Sequence, residues 1–352
     1  GVDGTGTDYG LKIKTNGAVT LNGIIAKENH GDGIYVEDYG TLKIYNAFLD
    51  KNQGSDPWSG DGLRTSTDGS GTVYLENVYA KDNDNGMMII GGSLSAKNIE
   101  ASHNRKGYGL NFESEVGSAR VEYGIFNENP LDGLYIVNKG AIYLNSIEAI
   151  FNGANGLYLD NAWCDIFTGT CIGAGSVTIT SPKAGGSQLA NGFWNNGNTG
   201  IYIQSRGAVT IANIDILENG GIGLDIDNRP GTGGVTINTN LKNWENYIAK
   251  NNGCGIDIRS NGTVKISTTR MDSNQGDGIT VTTFGNIELA NVRSESNIGR
   301  GAYLDNVDSA LPRTVKFTDC SFDHNQGDGL VVRSLGAISA NGGNSGSSHP
   351  YT

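Results

Sequence analysis

A short segment that begins with glycine recurs along the whole chain. Examples are GLKI at Gly10, GIYV at Gly33 and GLVV at Gly329, and the commonest spacing between successive units is 23 residues. A repeat of this length cannot bury its apolar face alone, so neighbouring repeats must stack on one another. The unit glycines are Gly10, Gly33, Gly62, Gly86, Gly109, Gly133, Gly156, Gly200, Gly223, Gly255, Gly278, Gly301 and Gly329. The chain is therefore predicted to be a solenoid.

Each unit contains short runs of alternating polarity separated by glycine and asparagine. About seven residues after the first glycine a second one opens another run, as in GAVTL from Gly17 and GTVKI from Gly262. Period-2 alternation in such short pieces indicates strands and tight turns. Stacking three strands per unit predicts an all-β fold, a single-stranded right-handed parallel β-helix of about 13 coils. At roughly 4.8 Å per coil the rod would be about 60 Å long.

The residues one and three places after each unit glycine are almost all aliphatic, as in Ile201 and Ile203. They are predicted to point inward, while the residues two and four places after the glycine face solvent. We expect the unit glycines to adopt a left-handed φ. An asparagine four residues before many of these glycines is expected to tolerate the same region and to form a ladder of side-chain hydrogen bonds along the rod. Its members are Asn29, Asn129, Asn152, Asn196, Asn219, Asn251, Asn274, Asn297 and Asn325.

The repeat also predicts the domain organisation. Residues 1–336 form the β-helix, with insertions near 52–61, 161–195 and 228–245, and residues 337–352 form a tail rich in Gly, Ser and Asn. Cys164 and Cys171 enclose a short loop in the second insertion, and the sequence leaves open whether they form a disulfide or remain free thiols. Cys254 and Cys320 lie about three repeats apart and are expected to pack as small apolar residues.

Charge and hydropathy exclude several classes of function. The formal net charge of −12 makes nucleic acid or an anionic membrane surface an unsuitable partner. No apolar run is long enough for a membrane-spanning helix, so membrane insertion is not expected. No cofactor is predicted. Calcium is the one ion considered. Asp225 and Asp257 on adjacent coils could share it. Asp also recurs before the unit glycine, but a hydrogen bond that stabilises the turn is favoured there. These residues are Asp32, Asp61, Asp132, Asp277 and Asp328.

The motifs NHGDGI, NQGDGI and NQGDGL, each near an alternating strand of the type GxVxI, begin at Asn29, Asn274 and Asn325. They resemble the parallel β-helix repeat family, which includes bacterial surface and secreted proteins and polysaccharide-active enzymes of the pectin-lyase-like fold. The resemblance covers essentially the whole chain and implies the fold. It does not choose among enzymes, adhesins and structural fibres. The DD and RIK elements of polygalacturonase-like enzymes are absent.

One region of the outward rows concentrates polar chemistry. Asp225 and Asp257 fall on adjacent coils, with Asp227 and Arg259 two residues further along the same strands. Their backbones would lie roughly 5 Å apart, a separation that suits the two carboxylates of a retaining glycosidase. These four residues are the catalytic candidates if the protein is an enzyme. The favoured alternative is a solvated face on which Asp227 pairs with Arg259.

Aromatic residues adjoin the same coils and are candidates for carbohydrate binding. Their faces suit sugar rings, although packing of the insertions or a subunit contact explains the tryptophans equally well. The candidates are Tyr135, Tyr158, Tyr202, Trp163, Trp194 and Trp244.

Neither end of the sequence shows an amphipathic helix that would cover the last strands. Open strand edges associate with one another, so either the chain is a segment of a longer solenoid or its ends stack on copies of the same chain. Self-association into a homo-oligomer or filament is the favoured expectation. The favoured function is an extracellular or cell-surface structural or adhesive protein. The alternative is a polysaccharide-active enzyme, a lyase or glycoside hydrolase, or a carbohydrate-binding module, with polysaccharide as its partner.

Overall fold

The computed structural model describes residues 8–55, 59–67, 70–164, 170–182 and 191–342. The first fifteen strands are β1 Leu11–Lys14, β2 Ala18–Asn22, β3 Ile25–Lys27, β4 Ile34–Glu37, β5 Thr41–Asp50, β6 Leu63–Ser66, β7 Thr72–Lys81, β8 Met87–Ile90, β9 Ser93–Ser102, β10 Leu110–Ser114, β11 Ala119–Ile125, β12 Leu134–Asn138, β13 Ile142–Glu148, β14 Leu157–Asp160 and β15 Val177–Thr180. The remaining strands are β16 Asn191–Trp194, β17 Ile201–Gln204, β18 Val209–Ala212, β19 Ile214–Leu217, β20 Leu224–Asn228, β21 Val235–Asn238, β22 Asn246–Ala249, β23 Ile256–Ser260, β24 Val264–Asp272, β25 Ile279–Thr283, β26 Ile287–Glu295, β27 Ala302–Asp305, β28 Val315–Thr318, β29 Leu330–Arg333 and β30 Ile338–Asn341.

The strand that follows each unit glycine pairs in parallel with its equivalent in the next coil. Among the described residues these strands build one 13-stranded sheet, in the order β1-β4-β6-β8-β10-β12-β14-β17-β20-β23-β25-β27-β29. We call it the first sheet. The other strands stack in the same way into a second sheet that turns a corner within each coil. The architecture is the predicted right-handed parallel β-helix.

The corner of the second sheet lies at a residue with a left-handed backbone. In the long strands β5 and β7 it is Asn46 and Asn77, and between β18 and β19 it is Asn213, all with φ between 53° and 59°. Because the strand resumes directly after this residue, one coil presents three faces around a single core. The inward side chains of the coil through β17, β18 and β19 are completely buried. They are Ile201, Ile203, Val209, Ile211, Ile214 and Ile216.

The predicted asparagine ladder is confirmed and is longer than the sequence showed. The Nδ2 group of Asn196 donates to Oδ1 of Asn219 at 2.9 Å, and Asn219 donates to Asn251 at 2.9 Å. The ladder continues through three asparagines whose distance from the next unit glycine differs from four residues. Two of them donate through Nδ2, whereas Asn83 donates its backbone N–H to Oδ1 of Asn104. These additional members are Asn52, Asn83 and Asn104.

The left-handed conformation is not where the sequence predicted it. The unit glycines lack a left-handed φ, and among the described glycines only Gly23 and Gly60 have one. The residue immediately before each ladder asparagine takes this conformation instead, as Glu218 does before Asn219 with φ 56°. The unit glycines are required for a different reason, since a Cβ atom on Gly223 would lie 2.7 Å from the carbonyl oxygen of Gly255.

The aspartates before the unit glycines also differ from the expectation of a bond within the turn. Oδ1 of Asp32 accepts the backbone N–H of Asp61 in the next coil at 2.9 Å, and Oδ1 of Asp132 accepts that of Asn155 at 2.8 Å. They therefore link successive coils. The described residues contain no group of three or more His, Cys, Asp or Glu side chains positioned to hold a metal ion.

Three regular strands lie within segments predicted as insertions, and one lies within the predicted tail. β15 and β16 lie within 161–195 and β21 lies within 228–245, yet all three pair in parallel as regular strands of the stack. β30 falls inside the segment assigned to the tail and pairs with β28. Residues 343–352 lie outside the described part of the chain. The described residues include no helix long and apolar enough to cross a membrane.

Candidate functional site

The outer face of the first sheet carries a ladder of stacked tyrosines. Strand register places Tyr135, Tyr158 and Tyr202 directly above one another. The ring centroids of Tyr135 and Tyr158 are 4.7 Å apart and those of Tyr158 and Tyr202 are 4.9 Å apart. These spacings match the distance between parallel strands, so the rings lie flat on one another along the rod axis.

A fourth ring extends this ladder and was missed in the sequence. Tyr108 precedes the unit glycine of its coil and so lies outside the outward row, yet its ring centroid is 5.2 Å from that of Tyr135. The outward residue of that coil is Asn111, which is short enough for the ring of Tyr108 to reach over the strand. The tyrosine ladder, as we call it, consists of Tyr108, Tyr135, Tyr158 and Tyr202.

Stacking decides which parts of these tyrosines a ligand can reach. The faces of Tyr135 and Tyr158 are covered by their neighbours, so the ladder presents ring edges and hydroxyl groups to solvent. The hydroxyls of Tyr135 and Tyr158 make no hydrogen bond to another described residue. Burial raises the pKa of Tyr158 to about 12, with a further contribution from the neighbouring Tyr202, so its hydroxyl stays a protonated donor at neutral pH.

The four catalytic candidates lie at one end of the ladder. Asp225 is the register partner of Tyr202 on one side and of Asp257 on the other. The guanidinium of Arg259 binds the carboxylate of Asp225 and lies 3.9 Å from that of Asp257. The expected pair between Asp227 and Arg259 is wrong.

Asp227 has a different partner because an arginine lies two residues further along its own chain. Nε and an Nη atom of Arg229 donate to the two carboxylate oxygens of Asp227 at 3.0 and 2.6 Å. A bidentate pair of this kind is both stronger and more directional than a single contact. It holds Asp227 away from Arg259, which turns to Asp225 instead.

The pKa shifts in this cluster follow from burial and from these arginines. Burial raises the pKa of Asp225 and of Asp257 above its usual range, against the opposing charge of Arg259. Burial would also raise the pKa of Asp227, but the hydrogen bonds and charge of Arg229 outweigh it and lower the pKa. The pKa values of Asp225 and Asp257 are thus shifted in the same direction and both carboxylates share one guanidinium, which does not separate them into one acid and one nucleophile.

The three tryptophans do not form one site with the tyrosines. Trp163 follows β14 at the edge of the first sheet, and the ammonium group of Lys139 lies 4.9 Å from its ring centroid. Trp194 is the last residue of β16 in the second sheet, and Trp244 lies shortly before β22 in that sheet. Of the three tryptophans, only Trp163 therefore follows a strand that carries a ladder tyrosine.

A disulfide closes the loop next to Trp163. Cys164 and Cys171 are bonded to each other, and their backbones form an isolated antiparallel bridge. The amide of Gln204 lies 3.6 Å from the sulfur of Cys164 and so connects this loop to the strand of Tyr202. The remaining cysteines, Cys254 and Cys320, are free thiols in partly buried positions.

One protein-family model agrees with the fold over part of the chain. Residues 190–344 match the family model described as a right handed beta helix region. Similar solved structures include the A-module of mannuronan C-5 epimerase AlgE4 of Azotobacter vinelandii, at 15% identity and a TM-score of 0.44, over 94% of this chain and 80% of that chain. The A-module of mannuronan C-5 epimerase AlgE6 of the same organism is 17% identical with a TM-score of 0.38, over 97% of this chain and 81% of that chain. No curated protein matches the chain in sequence.

Proposed function

We propose that this right-handed parallel β-helix binds an extended polysaccharide along the outer face of its first sheet. The observation that carries the proposal is the tyrosine ladder, four amphipathic side chains on successive coils with their rings in contact. Its rings are 4.7 to 5.2 Å apart. A polymer that lies along the rod would meet the same chemical group at each step, which is how a repeating ligand is recognised by a repeating surface.

Both hydrogen-bond donors and hydrogen-bond acceptors border the ladder. The free hydroxyls of Tyr135 and Tyr158 can donate to sugar oxygens. Asp160, at the end of the strand that carries Tyr158, accepts the backbone N–H groups of Ala162 and Trp163 and so has a fixed orientation. Aromatic edges combined with a few oriented polar groups are typical of sites that bind uncharged organic ligands.

The contacts around Arg259 favour binding over glycoside hydrolysis. A retaining hydrolase needs one protonated and one ionised carboxyl group that both face the substrate. Here the two candidates, Asp225 and Asp257, share the guanidinium of Arg259. The catalytic role of these residues stays a prediction of the sequence, and the proposal assigns the cluster to the binding face.

The substitution Tyr158→Phe tests the proposal because it removes one free hydroxyl and leaves the ring stack. We expect the melting temperature to stay unchanged and the dissociation constant for a bound polysaccharide to rise about two- to tenfold, the value of one hydrogen bond. Binding would be measured by affinity electrophoresis or calorimetry with soluble glucans, mannans and galactans.

Tyr143→Phe is the matched control. Tyr143 lies on the outer face of the second sheet, where the guanidinium of Arg120 lies 4.1 Å from its ring centroid. This variant should bind as tightly as the wild type. If the wild type binds no polysaccharide, or if both tyrosine variants weaken binding equally, the first sheet is not the binding face.

An extracellular or cell-surface location is part of this proposal. The disulfide between Cys164 and Cys171 supports it, since structural disulfides form and persist in oxidising compartments. Self-association into a filament or surface layer stays a prediction of the sequence. Light scattering of the purified chain would test it, because a monodisperse monomer at high concentration would rule out assembly of the chain by itself.

A further inference from the structure

A groove of about 490 Å³ lies on the first sheet at the end of the tyrosine ladder opposite Asp225. Strands β6, β8 and β10 form its floor, and Tyr108 stands at the point where the groove meets the ladder. Its wall combines the apolar side chains of Met88 and Leu131 with polar groups at either end. The volume is within the range of sites that hold small organic ligands.

Asn111 lines this groove and has a hydrogen-bond acceptor without a partner. Its side chain is only 5% exposed, although its neighbours in the outward row are half-buried. Its Nδ2 group donates to Oε1 of Glu113 at 3.1 Å, which fixes the orientation of the amide. Oδ1 is left buried without a partner. A buried acceptor in this state costs free energy unless a ligand supplies a donor.

The charged groups of the groove limit what that ligand can be. The ammonium group of Lys106 is already bound to Asp84 at 2.7 Å and to the carbonyl oxygen of Gly54 at 3.1 Å. The guanidinium of Arg64 has no ion-pair partner within 4 Å among the described side chains, but the carboxylate of Glu113 stands beside Asn111. An anionic group beside Asn111 would be repelled by the lone pairs of Oδ1 and by the negative charge of Glu113. A hydroxyl group carries no charge and can donate a hydrogen bond to Oδ1.

From this geometry we infer that the groove is the end subsite of the polysaccharide face and holds one uncharged sugar unit, with a sugar hydroxyl donating to Oδ1 of Asn111. Met88 and Leu131 contact the apolar face of the sugar ring. At Tyr108 the polysaccharide continues from the groove to the other tyrosines of the ladder. The inference rests on the proposed function, to which it adds a neutral substrate class and the residue that selects it.

Asn111→Leu tests the assignment because leucine keeps the volume and removes the acceptor. Loss of an unsatisfied buried polar group should leave the melting temperature unchanged or raise it. The dissociation constant for a neutral polysaccharide that the wild type binds should rise at least about tenfold. Asn145→Leu, on the outer face of the second sheet, is the matched control for binding and should not change the dissociation constant. If Asn111→Leu does not fold, Asn111→Ala carries the same expectation.

The outcomes separate the subsite from the proposed function. A wild type that binds no glucan, mannan or galactan overturns both. If Tyr158→Phe weakens binding and Asn111→Leu does not, the polysaccharide face stands and the subsite is wrong. The neutral class is tested with a polyuronate, and binding of that polymer more tightly than the neutral ones, with loss on Arg64→Gln, would overturn it. Weaker polyuronate binding supports the assignment.

Discussion

At the scale of single residues, each step of the asparagine ladder depends on two adjacent positions: one residue turns the chain, and the next one, the asparagine, bonds to the neighbouring coils. The residue before each ladder asparagine takes the left-handed conformation that turns the chain, and its identity varies from Glu28 to Phe151 to Lys250. The asparagine itself points inward and bonds to the coils above and below. The cost of a left-handed non-glycine residue, about 1–2 kcal/mol, is thus offset by hydrogen bonds made by its neighbour.

Removal of one ladder member should be strongly destabilising. Asn219 donates to Asn251 and to the carbonyl oxygen of Phe193, and accepts from the amide and backbone of Asn196. Asn219→Ala leaves several buried groups without partners, so we expect the free energy of unfolding to fall by about 3 kcal/mol or more. Urea denaturation followed by circular dichroism measures the loss.

Asn22→Ala provides the comparison for this variant. Asn22 accepts a hydrogen bond from Asn46 in a second, solvent-exposed asparagine row. Water replaces that bond, so the change should stay within about 0.5 kcal/mol. A loss for Asn219→Ala no larger than for Asn22→Ala would mean that the inner ladder does not stabilise the rod.

At the scale of the strands, the unit glycines set how closely one coil packs on the next. A Cβ atom on Gly223 would meet the carbonyl oxygen of Gly255, the amide of Asn251 and the side chain of Ile248, all within 2.8 Å. Any side chain at this position forces the first sheet apart where the strand begins. The glycine is needed for space and not for its backbone angle.

Gly223→Ala should therefore destabilise the rod by about 1–3 kcal/mol through overpacking. Gly17→Ala is the matched control, since the nearest atom to its Cβ would be Oγ1 of Thr15 at 3.4 Å. That variant should be neutral or stabilised by a few tenths of a kcal/mol, because alanine restricts the unfolded chain. Thermal unfolding of the two proteins distinguishes the explanations: equal losses would indicate that glycine is required for its backbone freedom at both positions.

At the scale of the whole molecule, buried carboxyl groups make stability depend on pH. Burial raises the pKa of Asp215 to about 7, and burial together with the charge of Asp32 raises the pKa of Asp61 to about 7. Both groups have ordinary pKa values near 4 in the unfolded chain. The folded state therefore holds more protons between about pH 4 and pH 7, and these two groups lower stability as the pH rises through that interval.

Asp215→Asn should remove its share of this dependence. We expect the variant to be about as stable as the wild type at pH 4.5 and more stable at pH 8, since an amide needs no proton to remain neutral. Urea unfolding at both pH values measures the difference between the two proteins. Glu288→Gln, at an exposed position paired with Lys265, should follow the wild type. A constant difference across pH would show that Asp215 does not titrate on unfolding.

Most of the fold was predictable from the sequence because it is local and repeated. Unit glycines, alternating aliphatic residues and ladder asparagines recur at a nearly constant spacing. An error in assigning the strand register of one coil is therefore revealed by the next coil. Less of the candidate site was predictable. Tyr135, Tyr158, Tyr202 and Asp225 were placed on one face by counting residues, but Tyr108 was not, because its side chain reaches that face from a position outside the outward row.

The solenoid, its three-strand coil and its inward and outward rows follow from the repeat alone, because the side-chain period of a strand is two and the repeat sets which strands pair. The folded chain was needed to show which charges pair, that Trp194 and Trp244 lie on a different sheet from the tyrosine ladder, and that Asn111 in the groove has an unsatisfied acceptor. These features depend on side-chain directions and on short segments between strands. Such contacts join residues from different coils, and the periodic pattern of the sequence does not predict them.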